Sequence, residues 1–196
     1  MNGSLLTAST RIRGVATKLA AELETSERPA TKILEDHLSA HRGKPCTLRL
    51  HVTGPDPHPG VRPLKDREKS RLDAPGIAQC KYRTGLMFYD LAEIAAVTTL
   101  VWLPARLRVE ACLDLASGTV PAGKALPGMR RTDRTAIALS ERMHEFDLDD
   151  EDLPPGTADL DIAVKASAVL IVDGWAAAIA TERITRSFTE LLAGPD

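Results

Sequence analysis

Apolar residues near the start of the chain follow a helical period. From about Ser9 to Glu24 they recur at Ile12, Val15, Ala16, Leu19, Ala20 and Leu23, one buried stripe. Ser26 to Pro29 interrupts the stripe, and Pro29 is placed to open a second helix with Ile33, Leu34 and Leu38 inward. Gly43 ends it. The period then changes to two, so that Cys46, Leu48, Leu50 and Val52 share one face of a strand. Gly54 to Pro75 holds five prolines, two glycines and a cluster of Lys, Asp, Arg and Glu. It is too long for an idle connector, and a long loop or partly helical flap covering a pocket is expected there.

Two strands follow, Ala78 to Tyr89 and Ile94 to Trp102, joined as a hairpin around Asp90–Glu93. Leu103-Pro104 introduces a helix to about Ala116, which Ser117-Gly118 closes. Val120 to Leu126 reads as a tight loop or short strand. Arg130 to Met143 is open between strand and helix, and the acidic, proline-bearing stretch from Glu145 to Asp161 reads as a solvated loop. Asp173-Gly174 then stands between two apolar runs, Ile162–Val172 and Trp175–Ile184. That is the strongest hairpin signal in the chain. Successive hairpins with helices set apart from them predict an α+β fold, in which a single antiparallel sheet and its flanking helices enclose a buried pocket.

The 196 residues suit one domain spanning 1–196, and 43% hydrophobic residues suffice for a core with a cavity in it. A net charge of -2 supplies no field to gather nucleic acid or an anionic membrane, and 4% aromatic residues are too few for base stacking. Neither is expected as a partner; monomer or weak dimer is. Cys46, Cys80 and Cys112 are odd in number, form no CxxC and predict reduced thiols. With no apolar leader at the N-terminus and no run approaching eighteen apolar residues, a cytoplasmic location is expected.

Charges inside apolar strands are the informative exceptions, because a buried charge is costly unless it is paired or bound. Arg83 shares a strand face with Gly85, Met87 and Tyr89. Glu182 shares one with Ala176, Ala178 and Ala180. Faces built from small residues leave volume unfilled, which points to a pocket between the two charges; an Arg83–Glu182 salt bridge or two solvated positions are the plainer alternatives. His37 and His41 stand four apart on the second helix, but with no third ligand nearby a solvated face is the better reading. Arg130, Arg131 and Arg134 form a basic cluster that could attract an anionic substrate, but a solvated cluster, or one that pairs with Asp147–Asp152, is the better reading. No metal or cofactor is expected.

With these residues in view, the sequence resembles the chorismate lyase family. Ala30-Thr31-Lys32-Ile33-Leu34-Glu35 is similar to the family's threonine-bearing helix, and Gly43 to Val52 to its glycine and alternating strand. Tyr82-Arg83 resembles the strand whose arginine binds a ring carboxylate. Ala95-Ala96 and then Leu103-Pro104 resemble the next strand and its helix entry, Pro121-Ala122-Gly123 a tight turn, and Thr181-Glu182 the closing strand. The resemblance implies a cofactor-free carbon–oxygen lyase that converts chorismate to 4-hydroxybenzoate and pyruvate. Arg83 would clamp the carboxylate and Glu182 would act as acceptor or base. Leu50, Ala96, Ala122 and Gly123 would contact the substrate, in part through backbone N–H groups. Val97 stands where founding members of the family carry an arginine, which opens the substrate to another small cyclic or aromatic acid. A non-catalytic effector-binding module is the further alternative, because sensory domains of some transcription regulators resemble the same fold. Only about forty-five residues precede the first strand, which weighs against a preceding DNA-binding domain.

Overall fold

The computed structural model describes residues 2–53, 60–139, 157 and 159–194, with side chains from Ser9 onward. Helices α1 (Asn2–Thr25) and α2 (Ala30–Arg42) come first, followed by strands β1 (Arg49–Val52) and β2 (Gly60–Pro63) and helix α3 (Asp66–Leu72). Strands β3 (Gln79–Phe88) and β4 (Ile94–Trp102) form the first long hairpin. Helices α4 (Val109–Ser117) and α5 (Ala122–Ala125) lead to β5 (Arg130–Ala138). The second long hairpin, β6 (Ile162–Val172) and β7 (Trp175–Thr185), runs into α6 (Arg186–Ala193). All seven strands form one antiparallel sheet in the order β1-β3-β4-β7-β6-β5, with β2 also on β3, beyond β1 along the same edge. The α+β class and the single antiparallel sheet are as the hairpin pattern predicts.

The helical stripes behave as read. Ala16, Leu19, Ala20 and Leu23 of α1 and Ile33, Leu34 and Leu38 of α2 are buried on the sheet, joined by Phe188 of α6. Gly43 caps α2 in the left-handed region at φ 64°, and Asp173 and Gly174 both take positive φ in the β6–β7 turn, as a two-residue hairpin demands. A second cluster on the same sheet face gathers Leu100, Trp102, Leu170 and Ala178 beneath Leu115, Ala125 and Leu126 from the α4–α5 region. The opposite face carries a third, smaller cluster in which Leu64 and Leu72 pack on Val101, Val169 and Ile179.

Several local expectations are corrected. Leu103 to Ala116 is not one helix: a 3-10 turn at Pro104–Arg106 ends at Leu107, whose extended backbone breaks the path before α4 begins. Val120 to Leu126 is neither loop nor strand; Pro121 starts a single helical turn, α5. The stretch from Arg130 resolves as strand to Ala138; its end from residue 140, and residues 145–156 and 158 of the expected loop, lie outside the described residues. Helix α6 extends the chain past the last hairpin, begun by Thr185, whose hydroxyl accepts from the Phe188 N–H. Ala176 does not share the Glu182 face, because a register shift between Leu170 and Ile171 turns it toward the third cluster. The described part of the expected flap, β2 and α3, packs on the sheet face opposite Arg83 and Glu182. No helix among the described residues is long and apolar enough to cross a membrane.

Candidate functional site

Strand alternation aims Arg83 and Glu182 at the same side of the sheet. Arg83 pairs with Leu100, which pairs with Ala180; Glu182 pairs with Thr98, which pairs with Gly85. The two charges thus stand two strands and two residues apart, about 10 Å across the sheet and about 7 Å along it. Between them lies a cavity of about 30 Å³, at the seam of the first and second clusters. Arg83, Glu182, Leu50 and Ala122 all border it, together with Thr98, Leu100 and Ala180 from the floor. Thr31 of α2 and Pro121 from the α4–α5 connection close it from above.

The other two expected contacts lie elsewhere. Ala96 is fully buried in the first cluster, between Met87 and Ile184 in the sheet register, and does not border the cavity. Gly123 sits in α5 against Pro29, the residue that opens α2, and also stands back from the cavity.

Arg83 is 7% exposed. Its Nη1 donates to the Leu115 carbonyl and its Nη2 to the Val120 carbonyl, each at 2.7 Å. Leu115 lies in the last turn of α4, where carbonyls carry partial negative charge and favour a cation. These bonds satisfy two of five guanidinium donors, and no carboxylate among the described residues offsets the charge. Burial alone pulls Arg83 down to about 10. It remains a cation at neutral pH, at a burial penalty of about 3 kcal/mol. An anion in the cavity would recover part of that.

Glu182 has the opposite problem. Burial pushes its carboxyl up, against the opposing pull of Arg131 and Arg183, and its Oε2 has no hydrogen-bond partner. A raised carboxyl is a neutral hydrogen-bond donor over a wider pH range, and an orphaned oxygen in a cavity awaits a partner.

Arg131 is the residue that the sequence reading missed. It is 2% exposed, not solvated, and its Nη1 donates to the carbonyls of Arg28 at 3.1 Å and Ser26 at 3.4 Å, tying β5 to the α1–α2 joint. Its Nη2 is buried without a partner, and its charge acts on Glu182. The signal was weak, because Arg130 and Arg134 on either side disguise an inward position in a strand with poor alternation. Thr98 and Leu100 were findable, since alternation along β4 places them opposite Gly85 and Arg83. His37 is spent on Glu22, Nε2 to Oε2 at 2.8 Å. Among the described residues no group of three or more His, Cys, Asp or Glu is placed to hold a metal ion, and none of the three cysteines is in a disulfide.

No protein-family model matches the chain, and no curated protein matches it. Similar solved structures include a transcriptional regulator of the GntR family from Enterococcus faecalis V583, at 9% identity and TM-score 0.41, over 71% of this chain and 91% of that one. The possible transcriptional regulator YydK from Bacillus subtilis is similar at 9% identity and TM-score 0.47, over 91% of this chain and 96% of that one. PhnF from Mycobacterium smegmatis is similar at 9% and 0.47, over 81% of this chain and 65% of that one. Likeness at this level assigns no activity to this chain. Two of the three are described as transcriptional regulators and none as a lyase. The chorismate lyase assignment is corrected on that finding, together with its substrate, its products and the expectation of an enzyme. The physical reason is that the motifs behind it are pieces a scaffold requires whatever its chemistry: a helix opening, a turn, and two charges facing one gap.

Proposed function

We propose that the chain is a non-catalytic small-molecule-binding module, one domain over residues 1–196, whose ligand is a small cyclic or aromatic carboxylic acid. The observation that carries this reading is Arg83, a buried cation with only carbonyl partners, bordering a cavity whose other end holds the orphaned Glu182 carboxyl. A carboxylate meeting the guanidinium would form charge-assisted bonds and offset the buried charge. A hydroxyl or carbonyl at the ligand's far end would satisfy Glu182. The small side chains of Ala122 and Ala180 leave the walls room for a flat ring once the site opens.

The cavity holds a water or so at about 30 Å³, whereas a benzene-sized ligand needs ~150 Å³. Entry therefore displaces the α4–α5 connection, which borders the cavity through Pro121 and Ala122 and is anchored to Arg83 by two carbonyl bonds. A ligand carboxylate competes with those carbonyls for the same guanidinium. Occupancy is thereby converted into movement of a surface segment, which is what a sensing module requires. Calorimetry with benzoate and the isosteric neutral benzamide tests the reading: benzoate binds saturably, benzamide more weakly by at least on the order of tenfold. Equal affinity for the two, or no binding of benzoate, overturns it.

A further inference from the structure

Two acids are buried among the described residues, Glu68 and Glu182, and the fold treats them in opposite ways. Glu68 is closed: Arg62 grips it with two bonds of 2.7 Å, and the Lys65 N–H adds a third at 2.8 Å. Burial pushes its carboxyl up, but these contacts outweigh it and hold the group below its ordinary value. Glu182 is open. Burial wins there over the pull of Arg131 and Arg183, and Oε2 meets no donor. Arg131 is open in the same sense. It forms no ion pair among the described residues, its Nη1 reaches only the Ser26 and Arg28 carbonyls, and its buried Nη2 meets no acceptor.

The sheet register sets these groups around one alanine floor. Arg83 pairs with Leu100, Leu100 with Ala180, and Ala180 with Ala168. Ala168 shares its strand face with Leu170, the partner of Arg131. Arg83 and Arg131 therefore stand on the same face, four strands and two residues apart, about 19 Å across the sheet and about 7 Å along it. Glu182 lies on β7, the strand midway between them. Ala180 and Ala168 are both buried, and neither puts more than a methyl group between the two arginines. Arg131 does not border the closed cavity. Its head is held at the α1–α2 joint, which leads into the helix whose Thr31 roofs that cavity.

Charge decides what suits the far end. A ligand with one carboxylate offsets Arg83 and leaves Arg131 facing a carboxyl that burial keeps protonated to higher pH. A neutral polar group there would occupy the orphaned atoms without balancing the second cation. A second carboxylate does both: one oxygen accepts from Arg131 Nη2, the other accepts the Glu182 proton in a charge-assisted bond.

We infer that the ligand is a cyclic dicarboxylic acid with its acid groups at opposite ends of the ring, the first held by Arg83 and the second by Arg131 and Glu182 together. This rests on the Arg83 reading above and makes Arg131 the residue that selects for the second charge.

Terephthalate is the probe, titrated by calorimetry into the full chain beside benzoate and 4-carbamoylbenzoate, which matches its shape with a neutral amide in place of one carboxylate. Terephthalate should bind on the order of tenfold more tightly than either. Arg131→Met should bring the ratio of terephthalate to benzoate affinity close to one, with thermal melting to check that the variant folds. Glu182→Gln should keep the preference, because its amide N–H donates where the protonated carboxyl did. If Arg131→Met does not fold, the three ligands on wild type decide alone. Benzoate that binds while terephthalate binds no more tightly overturns this inference and leaves the Arg83 reading standing. So does an amide that matches terephthalate, a folded Arg131→Met that keeps the full preference, or its loss in Glu182→Gln. Failure of both acids to bind overturns the two readings together.

Discussion

Arg83 and Glu182 border one cavity from the same face of the sheet and form no ion pair with each other. Each lacks what the other could supply, and the sheet register keeps them two strands apart. A salt bridge built for stability would have closed that gap.

Arg83→Met separates a binding role from a holding role. Methionine keeps most of the stem and removes the charge, relieving a burial penalty of about 3 kcal/mol. It also leaves the Leu115 and Val120 carbonyls without their donors, at about 1–3 kcal/mol each. The two effects largely cancel, so the melting temperature should move by only a few degrees while benzoate binding is lost. A steep fall in melting temperature with benzoate affinity intact would reduce Arg83 to an anchor for α4 and α5.

Glu182 predicts a pH dependence with a definite sign. Its folded value is raised above the ordinary carboxyl value, so the folded state holds the proton more tightly than the unfolded state does. The stability that this contributes is complete below the ordinary value and is lost as pH rises through the folded value. Glu68 contributes the opposite slope, since its value is held low. Glu182→Gln isolates the first effect: it should be more stable than wild type near neutrality, with the advantage shrinking as pH falls toward 4.5. Denaturant melts of both proteins across that range provide the measurement. A difference that is constant with pH contradicts a raised Glu182.

Much of this site was legible in the sequence, because the sheet converts spacing into position. Period two placed Arg83 with Gly85 and Met87, and the Asp173-Gly174 turn placed Glu182 on the partner hairpin. What closes the cavity was not legible. The α4–α5 connection reads as a loop with a proline and a glycine, and only its packing on α2 makes it a wall. The proline-rich segment after Gly54 looked like the better cover, yet Leu64 and Leu72 take its described part to the other face. Arg131 was obscured by its arginine neighbours and by the irregular register between Thr132 and Thr135. Local periodicity reports which way a side chain points from its own strand, and says little about which distant segment covers it.

Hydrogen exchange locates the moving part. If ligand entry displaces the α4–α5 connection, amides in residues 115–126 exchange readily in the free protein and change protection when benzoate binds. Amides of α3, on the opposite face, should not respond to benzoate. The reverse pattern would return the covering role to the segment after Gly54.

Gly123 offers a test of the wall itself. A Cβ there would sit 2.9 Å from Pro29 Cβ and 3.0 Å from Pro29 Cγ, with Met129 Cε at 3.8 Å. The Pro29 ring has no side-chain rotation with which to withdraw, so α5 must move away from α2 or strain against it. Helix propensity acts the other way, since alanine gains up to about 1 kcal/mol over glycine inside a helix. That gain shrinks in a helix of one turn, whereas inserting a methyl into close packing costs about 1–3 kcal/mol. Packing wins, and Gly123→Ala should be less stable than wild type by about 1 kcal/mol. Gly14→Ala is the control: it lies within α1, its added Cβ meets nothing within 4 Å, and it should gain about 0.5–1 kcal/mol. Because Pro121 and Ala122 border the cavity, a displaced α5 enlarges it, and benzoate should bind Gly123→Ala at least as tightly as wild type despite the lower stability. Thermal melts and calorimetry on both variants decide. If Gly123→Ala melts at or above wild type while Gly14→Ala behaves as expected, α5 does not press on α2, and the cavity is not closed by the contact described here.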